Sequence, residues 1–200
     1  VQEMHTGDYA VTNETGGILP EAVTELKKRD EVKELYTTKL SIYTWNKDGS
    51  FPLPLDFPLQ SWETFQIAGI DDSRLEEFLS GLSDQAAEEV KNGTACLIHN
   101  PIPFSFEGQT AESTQFQPGD ALTINGKSLH AAGIISSPVT INNDGYINGV
   151  QILVPDSVYD TLTGKNLYSE IYPVLQNAED FDIFEAWLEQ WCSSNPGTHW

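Results

Sequence analysis

Two hundred residues fit one domain or two small units sharing a chain, and 39% apolar residues with 21 aromatics suffice for an ordered core. Ten Lys and Arg against 30 Asp and Glu leave a formal charge of −20, which repels nucleic acid and anionic membrane surfaces and leaves basic or zwitterionic partners open. No run reaches the ~20 apolar residues needed to span a bilayer, and the N-terminus has neither the basic nor the apolar segment of a signal peptide. The chain is therefore expected to be soluble, with any exporting segment outside it.

In chain order, Asp8 to Thr12 reads as a short strand, followed by Gly16-Gly17 and by Pro20, a residue suited to a first helical turn. The helix from Pro20 to Arg29 should bury Val23 and Leu26. Glu34 to Trp45 is β-branched and aromatic with a period near two, a long strand that ends at Asn46-Lys47-Asp48-Gly49. Pro52, Pro54 and Pro58 mark an extended, turn-like stretch, and Trp62 to Gly69 is the next strand. Asp71-Asp72-Ser73 with Glu76 three residues after Ser73 predicts a capping box, and Leu75, Phe78, Leu79 and Leu82 follow at one-face spacing. A second short helix, Asp84 to Lys91, stops at Asn92-Gly93.

Thr94 to His99 is an apolar strand and residues 100–118 a loop. Asp120 to Ile124 and Lys127 to Ile135 flank Asn125-Gly126, a strong hairpin signal. A polar turn at Asn142-Asn143-Asp144-Gly145 precedes the strand Val150 to Val154 and Pro155. A helix from Asp156 to Leu162, closed by Gly164, leads to a strand from Tyr168 to Leu175. The last helix places Phe181, Phe184, Trp187, Leu188 and Trp191 on one side and ends at Asn195-Pro196-Gly197. The expected class is α+β.

No chemistry-bearing constellation emerges. Carboxylate pairs such as Asp71-Asp72, Glu76-Glu77, Glu88-Glu89 and Asp180 with Asp182 are what helix starts and solvated faces carry. His5, His99, His130 and His199 lack metal-ligand spacing, and His99 and His130 read as satisfied structural imidazoles. Cys96 and Cys192 belong to no C-x-x-C pair and are expected as unpaired, partly buried thiols. Gly16-Gly17 before a helix lacks the lysine and hydroxyl of a phosphate loop. No catalytic, cofactor-binding or metal-binding residue is assigned, and no cofactor is expected. The sequons Asn13-Glu14-Thr15 and Asn92-Gly93-Thr94 matter only in a eukaryotic secretory context.

Four segments carry a resemblance. Phe116 to Lys127 (FQPGDALTINGK) resembles the "x-x-G-D-x-I-x-I-x-G-K" hairpin of the extracytoplasmic domains of MacB- and FtsX-like ABC-transporter permeases, and Leu129 to Ile135 is similar to the strand that follows it there. Gln151 to Tyr159 (QILVPDSVY) resembles that family's "x-I-V-P-x-x-x-F" strand-to-helix step, and Phe65 to Asp71 (FQIAGID) its "x-V-x-G-I-D" strand. They occur in the family's order over residues 62–165. The acidic composition and the proline-rich 51–58 stretch depart from the family's usual form.

The resemblance implies a domain inserted between two transmembrane helices, on the extracytoplasmic side of the cell membrane. It implies a porter-like α/β lobe from both chain ends, residues 1–70 and 156–200, and a smaller strand-rich, sabre-like lobe from residues 71–155. It implies no enzyme activity here, since a separate ATP-binding subunit or domain hydrolyses the nucleotide. The domain would couple that movement to a peptide, antimicrobial, lipoprotein or cell-wall protein ligand. A freestanding secreted binding protein is the alternative, and an acid-base hydrolase a third reading. Trp45, Phe51 and Phe57 are the candidate contact aromatics, set against the preferred expectation that they pack between the lobes.

Overall fold

The computed structural model describes residues 7–57, 59, 63–103, 105–110, 112–139 and 149–200. His5, Pro58, Trp62 and the turn Asn142 to Gly145 lie outside them. The elements in chain order are β1 (Val11–Asn13), α1 (Pro20–Lys27), β2 (Val32–Tyr43), β3 (Leu55–Asp56), β4 (Thr64–Ile70), α2 (Asp72–Leu79), α3 (Asp84–Lys91) and β5 (Ala95–His99). There follow β6 (Ser105–Phe106), β7 (Gln109–Thr110), β8 (Ala121–Ile124), β9 (Lys127–Ile134), β10 (Gly149–Pro155), α4 (Asp156–Thr163), β11 (Glu170–Leu175), a 3-10 turn at Ala178–Asp180, α5 (Phe181–Ser194) and β12 (Thr198–His199).

The chain divides into a terminal unit, Val1–Lys39 with Asn166–Trp200, and a middle unit, Leu40–Lys165. The sequence-based division, at 70/71 and 155/156, lies inside the middle unit, which is the larger of the two. The reason is strand pairing: β4 is the parallel neighbour of β10 over its whole length, from Thr64 opposite Gly149 to Ile70 opposite Pro155. Helix α4 packs back on the same pair. Gly69 fits there because a Cβ at its position would lie 2.5 Å from Cβ of Tyr159. Residues 64–70 and 156–163 therefore belong to the middle unit.

In the terminal unit the strands run in the order β12, β1, β11 and the first part of β2, with antiparallel pairing from β12 to β1, β1 to β11 and β11 to β2. Pro20 at the helix start and Lys27 in the last turn shape α1, which buries Ala22, Val23 and Leu26. The expected stripe on α5 is present: Phe184, Leu188 and Trp191 are buried, and Phe181 and Trp187 pack against the same cluster with Val11, Ile171 and Leu175. The closing strand β12 is absent from the sequence reading, because two residues behind Pro196-Gly197 carry no pattern. Its partner in β1, not its own composition, makes it a strand.

The middle unit orders its strands as the end of β2, then β4, β10, β5, β9, β8 and β3. All seven residues of β10 are buried. Val150, Ile152 and Val154 face a cluster with Phe65, Ile67 and Tyr159, while Leu153 faces another with Ala68, Ile70 and Leu79. The β8–β9 hairpin turns at Asn125 and Gly126 with φ of 51° and 79°, the left-handed pair that Asn-Gly favours. Its tip is held: Asn125 N–H donates to Pro54 O at 2.7 Å, and Asn125 Nδ2 donates to Leu162 O at 3.1 Å.

The loop expected at 100–118 contains a small ribbon, β6 with β7, turning at Glu107 and Gly108 with φ of 49° and 80°. It eluded the sequence reading because it has no apolar alternation. A buried carboxylate anchors the loop instead, since Glu63 accepts from the Thr114 amide and from its hydroxyl, each at 2.6 Å.

Candidate interaction groove

The residues singled out from sequence fall mostly into structural roles. Phe51 and Phe57 are half-buried and pack within the middle unit, with Phe57 ring centroids 5.4 Å from Phe65 and 5.3 Å from Phe116. Trp45 is half-buried too and meets Phe51 edge-on at 5.2 Å. These rings thicken the core of one unit and do not form an exposed patch. The amide of Gly17 donates to Asn13 Oδ1, which removes it as an anion cradle, and Asn13 Nδ2 donates to Thr198 Oγ1.

Histidines divide into paired and unpaired. His130 Nε2 lies 3.0 Å from Glu89 Oε2, tying the hairpin to α3. His199 Nε2 lies 2.8 Å from Thr12 Oγ1. His99 departs from the expected satisfied imidazole: it is buried, and its Nδ1 has no partner among the described residues. Burial holds its pKa below the usual histidine value. Its cross-strand neighbour Gln151 is by contrast fully used, donating to Gln66 Oε1 and Val139 O and accepting from Val139 N–H. Both cysteines are free thiols, with the pKa of Cys96 pushed up to about 12 by burial and that of Cys192 also raised by burial. Among the described residues, no group of three or more His, Cys, Asp or Glu could hold a metal ion.

A concave surface forms where α2 and α3 lie side by side. The helix starts are well fixed: Asp71, not Ser73, caps α2. Asp71 Oδ1 accepts the Arg74 amide at 3.0 Å and Oδ2 accepts Arg74 Nε at 2.9 Å, so one carboxylate both ends the strand and neutralises a buried guanidinium. Ser83 caps α3 through the Ala86 amide. The four-residue connection at 80–83 then folds α3 back, leaving a groove of about 380 Å³. Its lining is mostly polar, with Glu76, Ser80, Asp84, Glu88 and Lys91 beside Leu79, Leu82 and Ala87. Leu82 is half-buried and packs on Gly133, where a Cβ would lie only 2.9 Å from Leu82 Cδ2.

The groove's lining carries three carboxylates, Glu76, Asp84 and Glu88, against one cation, Lys91. Arg74 is consumed by Asp71. Lys91 bridges to Glu76 at 2.5 Å, and that hydrogen bond, with the fields of Glu76, Glu88 and Asp72, raises the ammonium's pKa. Sequence reading saw these carboxylates singly, as caps and solvated positions. What it lacked was the tight connection at 80–83, which brings the acidic faces of two short helices to one depression.

The sequence matches no protein-family model, and no curated protein matches it. Solved structures do match. The chain is similar to the extracellular domain of the noncanonical ABC-type transporter YknZ from Gram-positive bacteria, at 14% identity and a TM-score of 0.50 over 87% of this chain and 86% of that one. It is also similar to the periplasmic region of MacB from Actinobacillus actinomycetemcomitans, at 9% identity and a TM-score of 0.52 over 95% of this chain and 86% of that one. Identities this low establish a common fold. The chain has the mixed α/β fold of these extracytoplasmic transporter domains.

Proposed function

We propose that this chain is the extracytoplasmic domain of an ABC-transporter permease of the MacB/FtsX type, a binding and coupling module without catalytic activity of its own. The observation that carries the reading is fold likeness over 87% and 95% of the chain to two such domains. The four sequence segments that resemble the family support it, since they include β4, the β8–β9 hairpin and the step from β10 into α4. Both chain ends belong to the terminal unit, which suits a domain carried between two membrane segments.

In this reading the terminal unit is the porter-like lobe and the middle unit the sabre-like one. A separate ATP-binding subunit or domain drives the transmembrane part, and the domain passes that movement to a peptide, lipoprotein or cell-wall protein. Its place is the outer side of the cell membrane. The test is the topology of the full-length gene product. Retention in the membrane fraction, with the domain open to protease added outside the cell and an ATP-binding protein co-purifying, is the expected result. Release of the domain into the medium as a free protein would instead make it a secreted binding protein.

A further inference from the structure

We propose that residues 136–139 form an acid-released strap: with His99 neutral they are pinned over a buried polar row of the middle unit, and protonation of His99 frees them. The inference goes beyond the permease reading and does not rest on it.

The row crosses three strands on one face of the sheet. Gln66 of β4 lies opposite Gln151 of β10, and Gln151 opposite His99 of β5, all three buried. Their strand neighbours Ala68, Leu153 and Leu97 belong to one apolar cluster, and buried Val139 belongs to it too. Val139 is fastened to the row through Gln151, whose Oε1 accepts its N–H at 2.6 Å and whose Nε2 donates to its carbonyl at 2.8 Å and to Gln66 Oε1 at 3.1 Å. The residues before it, Ser136, Ser137 and Pro138, are exposed or half-buried.

His99 is the unmatched member of the row. Its Nδ1 is buried with no partner among the described residues, so a charge on the ring is costly there. A protonated ring carries an N–H at Nδ1 that needs an acceptor. Directly across the ladder stands Gln151, with both amide protons committed and Oε1 already holding the Val139 N–H. The charged ring either competes for that oxygen or draws in water, and both loosen the strap.

Among the described residues no charge compensates it. β10 has no titratable side chain, and on β9 His130 stands opposite Ala95 and pairs with Glu89, while Lys127 lies beyond it at the hairpin turn. Glu63, just before β4, is held by Thr114, and Asp71 by Arg74. Glu112 in the neighbouring loop, Asp72, Glu76 and Glu77 of α2, and Asp84, Glu88 and Lys91 of α3 are all exposed. Burial holds the His99 pKa below the usual histidine value while the strap is down, whereas an uncovered imidazole titrates near ~6.5. The open form therefore binds more protons as pH falls through about 6.5, and acid favours opening.

The experiment is amide hydrogen exchange of the isotope-labelled 200-residue chain, read residue by residue by NMR and corrected for the intrinsic rate. Val139 should be at least about tenfold less protected than Leu153 of β10, the mark of a strap that opens without the sheet. Between about pH 7.5 and about pH 5.5 the opening constant at Val139 should rise about tenfold. His99→Gln should hold that rise below about twofold, and His130→Gln should leave it intact. His99→Phe, which takes up no proton, gives the same reading if the new amide of the first variant disturbs the row. Equal protection of Val139 and Leu153, or an opening constant at Val139 that does not change with pH in the native chain, would overturn the proposal. So would a rise that persists in both His99 variants.

Discussion

The two units bury their sheets in different ways. In the middle unit both faces of β4 and β10 meet apolar clusters, one built on Phe65, Ile152 and Tyr159, the other on Ala68, Leu79 and Leu153. In the terminal unit, among the described residues, one face does so, where Val11 and Ile171 meet α1 and α5. Its opposite face carries polar side chains, since Tyr36 stands opposite Tyr172 and Thr38 opposite Glu170 in the β11–β2 register. There the Tyr172 hydroxyl donates to Glu170. The difference is a lesson in what holds each sheet: dispersion and water release on both sides in one case, a hydrogen-bonded polar layer on one side in the other.

The comparison can be broken by substitution. Ile152→Ala, in the centre of a strand packed on both faces, should cost about 2–5 kcal/mol in urea unfolding. Tyr172→Phe, on the polar face of the terminal sheet, should cost less, about 1–3 kcal/mol, because only the loss of a hydrogen bond to a buried carboxylate is at stake. A larger loss for Tyr172→Phe than for Ile152→Ala would reverse the account.

Acid sharpens it further. His99 is buried with its Nδ1 unpartnered among the described residues, and burial holds its folded pKa below the usual histidine value. An unfolded imidazole takes up its proton near pH ~6.5. The unfolded state therefore binds more protons as pH falls from about 6.5 toward the lower folded pKa, and stability drops through that window. His99→Gln should flatten the drop relative to the native chain when unfolding is followed from pH 7.5 to about 5.5. An identical pH slope in the two proteins would show that His99 meets a partner when protonated.

The smallest effect is chemical. Cys96 lies in the middle unit's core, fully buried, whereas Cys192 in α5 is half-buried. A thiol reagent should label Cys192 first, with Cys96 reacting only when the middle unit opens. Equal rates in native buffer would mean that the β5 strand opens far more readily than its packing implies.

Most of the element order was legible because the determinants were local. The Asn125-Gly126 turn, the Gly164 stop after α4 and the stripe from Phe181 to Trp191 each follow from a few adjacent residues. The unit boundary was not, because it depends on β4 choosing β10 across some eighty residues of chain, and no local pattern encodes that choice. Gln151 was hidden for a similar reason. In an apolar run it looks like a flaw, and only the backbone of Val139 folded against it makes it a satisfied core residue. The groove needed both levels: helix starts that sequence reveals, and a back-folding connection whose consequence is spatial.

The edge where β1 meets β12 decides how the molecule would yield to tension. Thr12 pairs with His199 and Asn13 with Thr198, so the two chain ends leave the ladder on the same side. A pull applied between them loads one pair of hydrogen bonds at a time, like a zip, and not the whole ladder in shear. The terminal unit then gives way from its rim inward.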